Sequence, residues 1–292
     1  MSANPTATAF AAERTRLLGI AYRMLGSRAD AEDVLQDAWL RWSESASGEL
    51  RSTQAWLTTI VTRLSIDRLR SAKAQREVYI GPWLPEPLAD IDPVTPESKA
   101  EQASDLSIAF LNLLERLGHE ERAAFVLHDA FDCDYDDIAE VLGKTPGACR
   151  QLVHRARERI SGERRRFQVD EQTRLRMLER FISAANRGDI DEMKSLFATD
   201  ARMISDGGGK AVAVRRILHG AERIARLWMA IFRRTGHDVE RRIVRINGEL
   251  GLVTSYYGKL HSVTTIDTDG ERIYAYYTVA NPDKLGEFLP KA

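Results

Sequence analysis

The stretch Asp134 to Ile160 constrains this chain most, because it reads as two short helices joined by a tight turn. Asp134 is placed to cap the first helix, with Asp137 in its first turn. Ile138, Val141 and Leu142 form an apolar stripe at helical spacing, and Gly143 supplies the stop. Thr145 can cap the second helix, and Pro146 suits its first position, where no N–H is needed. In that helix Cys149, Leu152, Val153, Ala156 and Ile160 share one apolar face. The other face carries Arg150, Gln151, His154 and Arg155, donors and acceptors suited to base edges and phosphates in a major groove. This arrangement fits a DNA-reading helix-turn-helix. An ordinary helical hairpin with a solvated basic face fits the same letters.

The charge total does not decide between them, since the net charge is −1. Its distribution favours DNA. Lys144, Arg150, Arg155, Arg157, Arg159, Arg164, Arg165 and Arg166 stand against Glu158 and Glu163, a net +6. Just upstream, Asp129 to Glu140 carries six acids and no base. Such asymmetry marks surfaces with different partners. A length of 292 residues implies two or three domains. Two cysteines, Cys133 and Cys149, are too few for a disulfide framework, so a reduced, cytoplasmic chain is expected. The start lacks a basic stretch followed by an apolar run, and no apolar run is long enough to cross a membrane, so neither a secretory leader nor a membrane partner is expected.

Taken in order, residues 1 to 9 read as a loose tail. The spacing predicts helices over Phe10–Leu25, Arg28–Trp42 and Ala55 to about Arg76, with Ser27 and Asp30 spaced as a capping box before the second. The second helix turns Glu32, Asp33, Gln36 and Asp37 outward. The third ends in a basic run containing Arg63, Arg68, Arg70, Lys73 and Arg76, opposed by Asp67. A basic helix end suits either a solvated terminus or a phosphate-contacting surface. Gly81 to Asp105 is rich in Pro and acid and reads as an extended linker. Its Trp83–Leu84 pair is costly in water and is expected to dock. Helices over about Ser107–Leu117 and His119–Phe131 lead into the helix-turn-helix. Beyond Arg166, helices are expected over Gln172–Asn186, Ile190–Phe197 and Ala221–Arg234. Strands are expected over Arg202–Ser205, Ala211–Val214, Val239–Asn247, Leu250–His261 and Arg272–Ala280, with Asn247-Gly248 and Asp269-Gly270 as hairpin turns. This order suggests an α+β cone, a curved antiparallel sheet wrapped on helices.

The residues carry a family resemblance. Asp30-Ala31-Glu32-Asp33-Val34-Leu35-Gln36-Asp37-Ala38-Trp39-Leu40, Trp56-Leu57 and Ile66-Asp67-Arg68-Leu69-Arg70 resemble region 2 of bacterial sigma-70-family factors, and Leu117 to Ile160 resembles region 4. A chain with these two regions alone resembles the extracytoplasmic-function (ECF) group. Trp83-Leu84-Pro85-Glu86-Pro87, Asp206-Gly207-Gly208-Gly209-Lys210 and Asn281-Pro282-Asp283-Lys284-Leu285 resemble three motifs of its SigJ-like members, which carry a fused SnoaL-like domain of the NTF2 cone fold. The expected architecture is therefore multidomain. Two all-α sigma modules, a region 2 bundle over 10–76 and a region 4 helix-turn-helix over 106–162, are joined by a linker over 77–105. A SnoaL-like α+β cone follows over 170–292.

The resemblance implies a role for each group. Glu32, Asp33, Gln36 and Asp37 match the helix that grips core RNA polymerase. Arg63, Asp67, Arg68, Arg70 and Lys73 match the part that melts and reads the −10 element, and Ser43 to Thr53 the loop that captures a flipped base. Many ECF factors carry Asn in place of Arg63, which leaves the −10 letters open. Lys144, Thr145, Arg150, Gln151, His154 and Arg155 match the −35 reader. The implied partners are core RNA polymerase and promoter DNA, with an unidentified small ligand in the cone as a further candidate. The three motifs are expected to make regulatory contacts, the linker docking near Asp206–Lys210 and restraining the two sigma modules in cis.

Two rivals stay open at this point. One is a one-component helix-turn-helix regulator with a ligand-sensing cone, which leaves the acidic and melting helices unexplained. The other is a SnoaL-type enzyme with a DNA-binding appendage, for which Asp200, Asp206, His219 and His261 are the acid–base candidates. The expectation is a non-enzyme, with no catalytic residue, metal or cofactor assigned.

Overall fold

The structure is a computed structural model that describes residues 5–45, 52–89, 106–161, 169–236 and 238–289. It divides into two compact units that do not follow the order of the chain. One is drawn from Met1–Glu77 and Leu113–Arg164, the other from Val78–Asn112 and Arg165–Ala292.

In the first unit α1 (Pro5–Leu25), α2 (Arg28–Ser45) and α3 (Thr53–Glu77) form a bundle. Leu17, Ile20, Met24, Ala38, Leu57 and Val61 fill its core. Gly26, at φ 66°, ends α1, and the Ser27 hydroxyl accepts from Asp30 N at 3.2 Å to cap α2. α1 starts earlier than its apolar stripe indicates, with residues 5–9 helical rather than a loose tail. The Trp42 indole N–H donates to Thr6 O at 3.0 Å, and Phe10 packs edge-on against Trp39 at 5.2 Å. These are tertiary contacts that local periodicity cannot reveal.

The short helix α4 (Ile108–Leu114) precedes α5 (His119–Phe125), which continues in one π turn, Val126–Ala130, instead of running unbroken to Phe131. The Cys133 N–H closes this wide turn on Leu127 O at 3.0 Å. Within α5 the fully buried Arg122 donates to Met24 O at 2.7 Å, at the end of α1, and pairs with Glu115 at 2.7 Å. Burial lowers its pKa to about 9. The helix-turn-helix follows as α6 (Tyr135–Leu142) and α7 (Pro146–Ser161). The Asp134 carboxylate accepts from Asp137 N at 2.8 Å, Gly143 adopts φ 65°, and the Thr145 hydroxyl accepts from Ala148 N at 3.2 Å. Cys149, Leu152, Val153, Ala156 and Ile160 are all buried.

In the second unit α8 (Glu171–Arg187) and α9 (Ile190–Leu196) lead into a six-stranded sheet with α10 (Ala221–Thr235) against one face. The strands are β1 (Phe197–Asp206), β2 (Leu218–His219), β3 (Val239–Ile246), β4 (Glu249–Tyr256), β5 (Lys259–Thr268) and β6 (Ile273–Val279), in the order β2-β1-β6-β5-β4-β3. The sheet is not wholly antiparallel, because β1 and β6 pair in parallel. They are distant in sequence, so no hairpin fixes their direction. Two expectations fail here. Residues 211–214 form no strand, and Val212 is exposed. The segment expected as one strand over Leu250–His261 is broken by a turn at Tyr257 and Gly258, with φ 51° and 72°. Left-handed backbone at a Tyr has no signature in a run of β-forming residues.

The two faces of the sheet bury different clusters. Met203, Leu252, Ile266 and Tyr276 pack on the helices, and Ile204, Val253, Val263 and Tyr277 on the opposite side. Gly251 lies where β4 and β5 approach closely. A Cβ there would stand 2.4 Å from Thr264 O and 2.5 Å from Ile246 Cδ1. Gly251→Ala should therefore cost about 2–3 kcal/mol through forced strand separation. Thermal unfolding of the variant measures this, and an unchanged midpoint would contradict the close approach.

Candidate nucleic-acid surfaces and the linker junction

The −35 candidates stand together. Arg150, Gln151, His154 and Arg155 are exposed along one face of α7, with Thr145 at its start. Most are already engaged. Arg150 lies over the Tyr135 ring at 5.0 Å, Lys144 meets Glu120 at 3.1 Å and His154 meets Glu158 at 3.5 Å. Arg155 Nε and Arg159 Nη1 share the Glu121 carboxylate at 3.2 and 2.6 Å. Arg70 of α3 lines one open cleft with Glu121, Arg155 and Arg159. An exposed pair such as Lys144–Glu120 is worth about 0–1 kcal/mol, so DNA phosphates can displace it, whereas the Glu121 side chain is only 10% exposed.

Residues assigned to different partners on α2 and α3 also meet. Arg68 Nε donates to Asp30 Oδ1 at 2.9 Å and its Nη2 to Asp33 Oδ2 at 2.7 Å. These bonds, Asp30's first, raise the Arg68 pKa against the opposing effect of burial. Glu32 pairs with Arg14, while Gln36 and Asp37 lie exposed on the same helix. Asp67 pairs with Arg70 at 3.4 Å. The side chain of Lys73 and residues 46–51 of the flipped-base loop lie outside the described residues. Arg63 goes elsewhere. Its Nε donates to Val141 O at 2.9 Å and its Nη2 to Glu140 O at 3.0 Å. A guanidinium at the last carbonyls of α6 satisfies acceptors that the helix leaves open and suits its negative end.

In the second unit the three short motifs converge on Asp206, the last residue of β1, which is fully buried. Its carboxylate accepts from Tyr79 O–H at 2.5 Å, Leu84 N at 2.9 Å, Gly208 N at 3.1 Å and Lys284 Nζ at 2.8 Å. Its carbonyl accepts from Ala280 N and Asn281 N at 2.7 and 3.0 Å. Lys284 also donates to Leu84 O at 2.5 Å and lies 4.0 Å over the Trp83 ring. Leu84, Pro85 and Pro87 are buried, Glu86 half-buried, and Leu84 and Leu285 join the cluster on the sheet face away from the helices. A Cβ on Gly208 would meet Asn281 Nδ2 at 2.4 Å, and one on Gly209 would meet Ile80 at 2.8 Å. A Cβ on Gly207 would meet Ala211 O at 2.7 Å. The glycines thus admit the linker and the tail against the turn. Lys210 pairs with Asp283 at 2.5 Å, and Pro282–Lys284 forms a 3-10 turn capped by Asn281. Buried Asn247 secures the linker farther on, accepting from Leu88 N and donating to Leu106 O, each at 2.8 Å.

The cone's acid–base candidates are not brought together. Asp206 is held on the face away from the helices, and Asp200 and His219 are exposed. His261 stacks on Tyr256 with centroids 4.5 Å apart. Sequence reasoning missed Tyr79, Arg122, Glu121 and Arg241. Each acts through a partner distant in the chain, which neither spacing nor composition indicates.

A three-helix module with an acidic face, a helix-turn-helix with an exposed basic face and a fused α+β domain define a transcription-initiation factor of the sigma class. Residues 9–75 match Sigma-70 region 2, residues 107–160 match Sigma-70 region 4 and residues 178–281 match the SnoaL-like domain. The chain is 36% identical over 287 residues to the ECF RNA polymerase sigma factor SigJ of Mycobacterium tuberculosis, across 94% of this chain and 92% of that protein. It is 28% identical to the probable ECF sigma factor SigI of the same species, across 97% and 95%. The crystal structure of M. tuberculosis SigJ superimposes with a TM-score of 0.77 at 34% identity, covering 96% of this chain and 98% of that one. The chain belongs to the ECF sigma factors and carries a C-terminal SnoaL-like domain. No described helix is long and apolar enough to cross a membrane.

Asp206→Asn keeps the acceptor for Leu84 N but leaves the Lys284 ammonium, 11% exposed, without its counter-charge. Breaking a buried pair in this way costs about 3–5 kcal/mol. Faster hydrogen exchange at Leu84 and a lower melting temperature are expected, and wild-type protection there would remove Asp206 from its central place.

Proposed function

We propose that this sigma factor docks on core RNA polymerase through the acidic face of α2 and directs it to −35 and −10 elements through α7 and α3. Outside transcription the two readers are held closed. The observation that carries this reading is Arg63, a −10 candidate, donating to the end of α6 in the same compact unit. At about 3.4 Å per base pair, elements 25 base pairs apart lie roughly 85 Å from one another. A compact unit of roughly 130 residues has a radius of gyration of about 14 Å and cannot straddle that distance. The modules must therefore part before both elements are read. The linker, seated on the sheet by Leu84, shortens the free chain between them, which is how the second unit acts in cis.

A one-component regulator gives no role to the exposed Gln36 and Asp37. A catalytic cone is disfavoured because its acid–base candidates do not assemble. The proposed role is non-enzymatic.

Arg63→Asn should loosen closure by about 1–2 kcal/mol, a shift of roughly tenfold toward the open form. Run-off transcription with core polymerase should rise, and the distance between dyes on α3 and α6 should lengthen. If neither changes, closure does not restrain the protein. Asp37→Arg, a charge reversal on an exposed face, should abolish co-purification with core polymerase while leaving the circular dichroism spectrum intact. Retained binding would exclude this face of α2.

A further inference from the structure

The cations assigned to the −35 element are held by partners of very different exposure. Lys144 meets Glu120 and His154 meets Glu158, carboxylates that are 41% and 69% exposed. Exposed pairs of this kind are weakly held and impose little direction. Arg155 differs. Its Nε stands 3.2 Å from Oε1 of Glu121, an acid on α5 whose side chain is only 10% exposed.

Glu121 is fixed from several sides. Its Oε2 accepts from the Gly118 N–H at 3.1 Å, which caps α5, and from Arg159 Nη1 at 2.6 Å. Arg155 and Arg159 are one helical turn apart, so both guanidiniums close on the carboxylate from one face of α7. The next residue, fully buried Arg122, ties α5 to Met24 O and Glu115. Both arginines that Glu121 holds are themselves exposed. The brace is therefore inside the unit, and what it holds reaches the surface.

The charge balance suits a brace as well. Two guanidiniums against one carboxylate leave a net +1, so the acid orients the pair without cancelling its attraction for DNA. A guanidinium held at Nε keeps the edge formed by its two Nη groups, which matches O6 and N7 of guanine. A long side chain fixed before binding also loses less rotamer freedom when it meets a base.

We propose that Glu121 is a positioning residue for −35 recognition, aiming Arg155 at a base edge and steadying Arg159 beside it without itself touching DNA. This rests on the reading of α7 as the −35 helix, and the experiment separates the two.

The full-length chain, bound to core polymerase, selects from a duplex pool randomised across the −35 region, and enriched sequences are counted position by position. Arg155→Ala marks the positions that Arg155 reads. Glu121→Gln keeps the size and one acceptor oxygen, enough for the Gly118 cap but not for both arginines. It should weaken base preference at those same positions by about fivefold, while the salt dependence of binding stays that of wild type because no cation is removed. Glu121→Asp, which withdraws the charge from Arg155 on a shorter stem, should behave alike. In the Arg155→Ala background neither change should add anything. A further loss in the double variants, or an even loss across all positions, would make Glu121 a helix cap only. Wild-type preference in Glu121→Gln would show that Arg155 needs no brace, and tighter binding would make the acid a mask. Each of these results overturns the proposal. If Arg155→Ala leaves every preference intact, Arg155 reads no base, and the proposal falls with the assignment of α7 rather than through Glu121.

Discussion

The second unit depends on one buried carboxylate. Asp206 has no exposure, and an anion so placed must find donors within the protein. It finds them in segments far apart in sequence: Tyr79 and Leu84 before the helix-turn-helix, Gly208 in the adjoining turn and Lys284 after the last strand. Satisfying this group therefore brings linker, turn and tail to one point. Gly208, at φ 58°, leaves the room in which Asn281 approaches. Leu84 and Leu285 then close the apolar layer around the junction, where removal from water stabilises the docked linker.

The first unit follows a different rule. Its polar side chains are satisfied by exchangeable contacts at the surface and by committed ones inside. Arg68 on Asp30 and Asp33 forms solvent-accessible pairs that a charged partner can replace, while Arg155 and Arg159 reach from the surface to Glu121, whose side chain is only 10% exposed. Arg122 is different, because a fully buried guanidinium on Met24 O and Glu115 cannot be released without stranding a charge. Arg63 lies between these cases. It is exposed enough to let go, yet its two bonds join the third helix of the bundle to the helix-turn-helix.

The sequence by itself determined the helix-turn-helix almost completely. Capping at Asp134 and Thr145, the Gly143 stop and the buried stripe from Cys149 to Ile160 are local effects, and local effects are written in spacing. The acidic face of α2 and the exposed basic face of α7 were legible for the same reason, and so were the Asn247–Gly248 turn and the need of the Trp83–Leu84 pair to dock. The tertiary structure alone decided what depends on distant partners. It set the exposed Arg63 against the end of α6, divided the expected strand at Tyr257 and paired β1 with β6 in parallel. It also gave Asp206 to the linker junction and set half-buried Arg241 beside Trp228. Each of these outcomes is set by burial and charge between segments far apart in the chain, and no window of neighbouring residues contains both halves of the interaction.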